Sequence, residues 1–64
     1  MKDRKLKCLK SFSSEGRYCL EGMTYTAYYI DGTYRLVFEN GEMIFDSDFF
    51  DEVLESWKSV LEED

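Results

Sequence analysis

The sequence predicts a mainly β fold that ends in one helix, in the order β-β-β-β(-β)-α. Two Asx-Gly dipeptides, Asp31-Gly32 and Asn40-Gly41, divide a region rich in Tyr, Thr, Val, Ile and Phe, which is typical of β-hairpins. After them, apolar residues recur at helical intervals. With 64 residues the chain forms a single domain, 1–64. We expect a small barrel or strongly bent antiparallel sheet over 1–46, capped by an amphipathic helix over 47–63.

The N-terminal part predicts one long strand followed by a loop. Leu6, Cys8 and Phe12 fit one face of this strand, whereas Leu9 breaks the alternation and predicts a bulge. Residues 13–16 are small, charged or glycine and predict a loop.

The central part predicts a short extended piece over 17–20, a turn at Gly22 and then two hairpins. Asx-Gly tolerates the positive φ angles of a type I′ turn, so both dipeptides are expected to adopt it. Three strands follow from the alternation on either side of the turns: about 23–30, 33–39 and 42–46.

The C-terminal part predicts an amphipathic helix. At about 100° per residue its apolar side chains fall on one arc of about 140°. These residues are Phe49, Phe50, Val53, Leu54, Trp57, Val60 and Leu61. Ser47 or Asp46 can cap the helix by accepting a backbone N–H bond. The arc is expected to pack on the apolar face of the sheet, which is too small to fold without it.

Composition argues against an enzyme, a metal site and a cofactor. The chain has no His, which excludes histidine-based acid–base catalysis and histidine ligation. Cys8 and Cys19 are too few for a four-coordinate zinc site. They are expected to be free thiols in the cytoplasm, although an oxidising compartment could pair them. No apolar run approaches the roughly 20 residues that a membrane helix needs, so a soluble protein is expected.

Charge is unevenly distributed along the chain, which has a net charge of −6. Residues 1–20 carry six Lys or Arg and two acids, whereas residues 21–64 carry two Lys or Arg and twelve acids. The candidate protein-binding residues lie on the polar arc of the predicted helix: Asp48, Asp51, Glu52, Glu55 and Glu62. This acidity either keeps the protein soluble, complements a basic surface on a partner protein, or matches the basic first strand of the same chain.

Two further functions remain open from the sequence. Exposed tyrosines beside basic residues could hold a nucleic acid, although strand tyrosines also serve as cross-strand packing partners. The candidates for this alternative are Lys5, Lys7, Lys10, Arg17, Tyr28 and Arg35. The other function is that of a self-associating structural protein, with a homodimer as its simplest form.

Four short stretches carry a resemblance to a known family. They are Glu-Gly-Met-Thr-Tyr at 21–25, Asp-Gly-Thr-Tyr at 31–34, Asn-Gly-Glu at 40–42 and Asp-Phe-Phe-Asp-Glu-Val at 48–53. Over about residues 5–54 the chain resembles small SH3-like barrel proteins encoded by phages and prophages of Gram-positive bacteria. The resemblance implies a protein that binds a bacterial host protein in the host cytoplasm. The long helix departs from the family, which suggests that it covers an open end of the barrel or pairs with another copy.

Overall fold

The computed structural model describes residues 2–63, which form seven strands and one helix. The prediction of a mainly β fold with one helix near the C-terminus is confirmed. The elements in chain order are β1 (Arg4–Cys8), β2 (Phe12–Ser14), β3 (Arg17–Cys19), β4 (Thr24–Ile30), β5 (Thr33–Phe38), β6 (Gly41–Asp46), α1 (Ser47–Ser56) and β7 (Leu61–Glu63).

Five of the strands form one antiparallel sheet in the order β6-β5-β4-β1-β7, and β2 pairs with β3 in a separate hairpin. Within residues 2–63 the two edge strands, β6 and β7, do not pair. The sheet is therefore open, and the barrel alternative is wrong. The reason is that β6 leads directly into α1, so the chain leaves the sheet at that edge and returns at the opposite one.

The three central strands lie within one or two residues of their predicted bounds. Asp31 and Gly32 have φ angles of 47° and 80°, as the predicted type I′ turn requires. The second turn differs, because Gly41 already belongs to β6 and neither it nor Asn40 has a positive φ. Gly41 lies close to the side chain of Arg17 instead, and a Cβ there would be 3.3 Å from Nε of Arg17, so a larger residue would have to displace that side chain slightly.

Asn40 binds the β2–β3 hairpin. Its Oδ1 accepts a hydrogen bond from the Tyr18 N–H at 3.0 Å, and its Nδ2 donates to the Gly16 carbonyl at 2.8 Å. This pair of bonds joins two hairpins that are more than 20 residues apart in sequence.

The predicted long first strand is wrong, because β1 ends at Cys8 and Phe12 begins β2. The intervening residues bend away, and the Leu9 N–H donates to the Val60 carbonyl at 2.7 Å. The predicted loop over 13–16 is in fact the tip of a hairpin whose two turn residues, 15 and 16, both have positive φ.

The helix is shorter than predicted. It ends at Ser56, and the Trp57 carbonyl then accepts hydrogen bonds from the N–H groups of Val60 and Leu61, at 2.9 and 2.8 Å, in a chain reversal. The last residues form β7, which runs antiparallel to β1 and places Leu61 opposite Cys8. Burial of Leu61 in the core favours this reversal over a longer helix. Asp46 holds the N-cap position without a side-chain cap bond, so the predicted side-chain cap is also wrong.

The core lies between the inner face of the large sheet, α1 and the β2–β3 hairpin. Its buried residues are Leu6, Cys8, Cys19, Tyr25, Ala27, Leu36, Phe38, Phe50 and Leu61. Trp57 packs at the margin, with its ring centroid 5.4 Å from that of Phe12. The Tyr25 hydroxyl accepts from the Leu20 N–H at 2.8 Å and donates to Glu39 Oε2 at 2.7 Å.

The two cysteines are free and buried. Loss of solvent raises the pKa of both thiols, and raises that of Cys19 to about 12. Both side chains therefore stay protonated at neutral pH and act as core residues, as expected of free thiols.

Neighbouring phenylalanines test the packing of α1. Phe50 is 0% exposed, whereas Phe49, which the sequence places in the same apolar arc, is 52% exposed. We expect Phe50→Ala to lower the free energy of unfolding by about 3–5 kcal/mol, because it leaves a cavity, and Phe49→Ala to lower it by less than about 1 kcal/mol. Urea denaturation of the two variants measures the difference, and equal effects would contradict the packing.

Candidate functional site

Arg4 of β1 connects this strand to β7 and to α1 at the margin of the core. Its Nε and Nη2 donate to the two carboxylate oxygens of Glu63 at 2.8 and 2.6 Å, and its Nη1 donates to Asp51 Oδ1 at 2.7 Å. The guanidinium carbon also lies 5.5 Å from the Phe50 ring centre and 5.6 Å from that of Tyr34. Arg4 therefore holds β7 and α1 against β1 by charge-assisted bonds and by contact with aromatic rings.

The ion pair shifts the pKa of both partners. The hydrogen bond with Glu63 raises the pKa of Arg4, against the opposing effect of burial, and lowers the pKa of Glu63. Neither residue was among the predicted site residues. The sequence does contain a signal for Arg4. Strand alternation places it on the same inward face as Leu6 and Cys8, where a charged group needs an oppositely charged partner.

An acidic surface covers the solvent side of α1. Asp48, Asp51, Glu52 and Glu55 fall within an arc of about 100° at 3.6 residues per turn, and all four are exposed. We call these four residues the acidic face. The structure thus brings four of the five predicted protein-binding residues together.

The fifth predicted residue, Glu62, does not lie on the helix. It belongs to β7, directly across from Lys7 of β1, because the chain reverses after α1. The interpretation that placed it on the helix face is therefore wrong.

Two members of the acidic face have partners within the chain. Asp51 binds Arg4, and Glu55 binds Lys58 at 2.9 Å, a contact that raises the pKa of Lys58. Within the acidic face, the predicted ion pairing with the basic first strand is therefore found for Asp51. The carboxylates of Asp48 and Glu52 have no ion-pair partner within 4.0 Å among residues 2–63.

A groove of about 500 Å³ runs between α1 and β7, beside the acidic face. Apolar side chains line it at Leu6, Leu54 and Leu61. Charged residues also line it: Arg4, Asp51, Glu55, Lys58, Glu62 and Glu63. A predominantly acidic margin over apolar side chains suits a segment with both basic and apolar residues.

The outer face of the large sheet is a second surface, on the opposite side from α1. Four of the six predicted nucleic-acid-binding residues, Lys5, Lys7, Tyr28 and Arg35, occupy outward strand positions there. The other two lie elsewhere. Lys10 follows β1 in a bend, and Arg17 of β3 packs against Gly41 and donates to the Glu15 carbonyl at 3.2 Å.

Within residues 2–63 no other element covers this outer face, which we call the open face. None of its thirteen outward residues is buried. They are Lys5, Lys7, Thr24, Thr26, Tyr28, Ile30, Thr33, Arg35, Val37, Glu42, Ile44, Asp46 and Glu62. The open face thus mixes apolar side chains with charges of both signs.

No protein-family model, curated protein or solved structure matches the chain. Among residues 2–63, no three Cys, Asp or Glu side chains are grouped to hold a metal ion. The helix in this part of the chain is too short and too polar to cross a membrane. The function is therefore inferred from the acidic face and the open face themselves.

Removing the Arg4–Glu63 pair should destabilise the fold in a pH-dependent way. We expect Glu63→Gln to lower the free energy of unfolding by about 1 kcal/mol at pH 7, since the pair is partly exposed and screened by solvent. Because the pKa of Glu63 is lowered from its ordinary 4.5 in the fold, the pair contributes fully above that value and is lost as the pH falls below it.

The measurement is urea denaturation of the wild type and Glu63→Gln between pH 7 and pH 3. The two stabilities should converge as the pH falls. Arg4→Lys is the companion variant, because it keeps the charge and loses the two-pronged geometry. A difference between wild type and Glu63→Gln that stays constant over this pH range would contradict the ion pair.

Proposed function

We propose that the protein is a non-enzymatic protein-binding module whose acidic face docks on a basic surface of a partner protein. The observation that carries the proposal is the presence of four exposed carboxylates on one side of α1, two of which, Asp48 and Glu52, have no ion-pair partner within residues 2–63.

Asp48 lies in the first turn of α1, where the helix dipole favours a carboxylate, and Asp51 and Glu55 have ion-pair partners. Glu52 is therefore the member of the acidic face that fold stability does not explain. Asp48 with Glu52, and Asp51 with Glu55, are like charges at i,i+4. Each pair costs about 0.2–0.5 kcal/mol in an isolated helix. A partner that brings Lys or Arg beside Asp48 and Glu52 relieves this repulsion. Complementary charge also speeds encounter and excludes partners of the wrong sign.

The neighbouring groove adds the half-buried Leu54 to such an interface, whereas the other apolar residues that line it, Leu6 and Leu61, are buried in the core. Interfaces combine a desolvated apolar centre with a charged rim, and this groove and the acidic face have that composition. The favoured partner segment is therefore basic with one or two apolar side chains.

We propose a bacterial host protein in the cytoplasm as the partner, following the sequence resemblance to phage-encoded small proteins, although this chain does not close into their barrel. No cofactor, metal or reaction enters the proposal, because recognition by charge and apolar contact accounts for the surface.

Charge reversal at the two unpaired carboxylates tests the proposed function. We expect Asp48→Lys with Glu52→Lys to weaken binding of the partner by about tenfold or more, because each replaces an attraction by a repulsion. Proteins captured from a bacterial lysate by the wild type are identified by mass spectrometry. The captured protein is then purified, and its direct binding to each variant is measured by calorimetry at two salt concentrations.

Glu15→Lys with Glu21→Lys is the matched control. It changes the net charge by the same amount at two exposed acids on the far hairpin and loop. Binding that weakens equally in both double variants would show a response to net charge alone. Binding that survives reversal at Asp48 and Glu52 would place the interface elsewhere, and either outcome rejects the proposal.

A single-stranded nucleic acid on the open face is the second candidate function. It is favoured by the placement of exposed Tyr28 beside Arg35, on the same face as Lys5 and Lys7. Aromatic rings flanked by cations are the usual platform for stacked bases. It ranks second because the acids of the same face cancel the three cations.

A gel-shift titration with single-stranded RNA and DNA at low salt tests this candidate. Binding through the open face predicts a shift that Tyr28→Ala weakens and that added salt abolishes. No shift at about 50 μM protein rejects it, since even non-specific binding at low salt lies in this range or below.

A further inference from the structure

We propose that the open face is a self-complementary interface, through which two copies of the chain pack sheet against sheet about a two-fold axis parallel to the strands. The face exposes Tyr28, Ile30 and Ile44, and Ile44 is 64% exposed. These three apolar side chains lie on strands β4 and β6, on either side of β5. A second copy is the occupant whose charges fit this face.

The charges of the open face are arranged in rows across the sheet. Lys5 of β1 is paired with Thr26 of β4, which lies opposite Val37 of β5, and Val37 is paired with Glu42 of β6. The basic and acidic ends of this row are therefore three strands apart, about 14 Å at 4.8 Å per strand. They are too far apart to bind each other within one copy.

The next row places an aromatic and a cation at its centre. Tyr28 of β4 is paired with Arg35 of β5, and Arg35 is paired with Ile44 of β6. Arg35 forms a long ion pair with Glu42 of the same copy, in which Oε1 lies 3.7 Å from Nε of Arg35, and this buried Nε has no hydrogen-bond partner. A guanidinium held only by this long contact can still stack its flat face on a ring.

A two-fold axis between β4 and β5, parallel to the strands, exchanges the ends of each row. It places Lys5 of one copy over Glu42 of the other, and Tyr28 of one copy over Arg35 of the other. Each contact occurs twice, as an isologous interface requires. An axis across the strands along this row would instead oppose Lys5 to Lys5 and Glu42 to Glu42, which disfavours that arrangement.

The charge total and the size of the face also favour a second copy. Lys5, Lys7 and Arg35 are balanced by Glu42, Asp46 and Glu62, whereas a nucleic acid requires a net positive surface. The backbone measures 29 × 21 Å along its two longest axes, which corresponds to a projected area of about 600 Å² for a face of this size. Two such faces bury about 1,200 Å², the lower end for a specific interface, so a reversible dimer is expected.

Sedimentation equilibrium of the full chain, from about 10 μM to about 1 mM, tests the proposal, because small interfaces typically dissociate in this range. We expect a monomer–dimer equilibrium. Ile44→Glu should weaken association by about tenfold or more, since it places a charge within the interface. Phe49→Glu is the matched control, because Phe49 is also exposed but lies on α1, away from the open face.

A charge swap tests the proposed axis. Lys5→Glu and Glu42→Lys alone should each weaken the dimer by about tenfold, because each opposes like charges across the two-fold. The double variant restores the opposite charges at both contacts and should associate within about threefold of the wild type. Far-UV circular dichroism and thermal melting confirm that each variant is folded.

Three results would contradict the proposed dimer. A chain that remains monomeric over the whole concentration range rejects the interface. Loss of association in Phe49→Glu with retention in Ile44→Glu places the interface on α1, and failure of the double variant to restore association rejects the axis. Each of these outcomes overturns the proposal. A monomeric chain or a failed charge swap leaves the proposed function of the acidic face unaffected, whereas an interface on α1 would compete with it.

Discussion

The arrangement of the C-terminal third depends on the guanidinium of Arg4. None of the charged or polar side chains of residues 2–63 is buried in the core, so the ion pairs of Arg4 lie at its margin. The fork of Arg4 binds Glu63 of β7 and Asp51 of α1 at the same time. It adds to the β1–β7 ladder and to the packing of Phe50 on Tyr34. The rings of Phe50 and Tyr34 beneath it exclude water from one side and make the bonds stronger than those of a fully exposed pair.

The parts of the fold that could be predicted from sequence are those fixed by local patterns. Alternation and the Asp31-Gly32 turn define β4 and β5, and helical spacing predicts α1 up to Ser56. The short β7 could not be predicted in this way, because Leu61 fits the apolar arc of a helix and the inward position of a strand equally well. Glu62 and Glu63 do indicate a strand, because carboxylates are unfavourable at the C-terminal end of a helix and favourable beside the basic β1.

The site could also be predicted only in part, because local patterns group residues on one element and do not show which distant elements are neighbours. Helical spacing groups Asp48, Asp51, Glu52 and Glu55 without any knowledge of the fold, and the structure does place them together. The pairing of Arg4 with Glu63 spans 59 residues and follows only once β1 and β7 are known to be neighbours. Asn40 is similar: its side chain joins two hairpins, and the local Asn-Gly pattern suggests a turn type that the chain does not adopt.

The two faces of the large sheet have different surroundings. One helix and one short hairpin cover one face of this five-stranded sheet, and within residues 2–63 no element covers the other. The acidic face and the open face therefore lie on opposite sides of the molecule. Pairing through the open face would leave both acidic faces of a dimer accessible, so that a single dimer could hold two basic segments. Such a bivalent arrangement raises the effective affinity for a partner with repeated or oligomeric basic surfaces without adding any contact to the individual site.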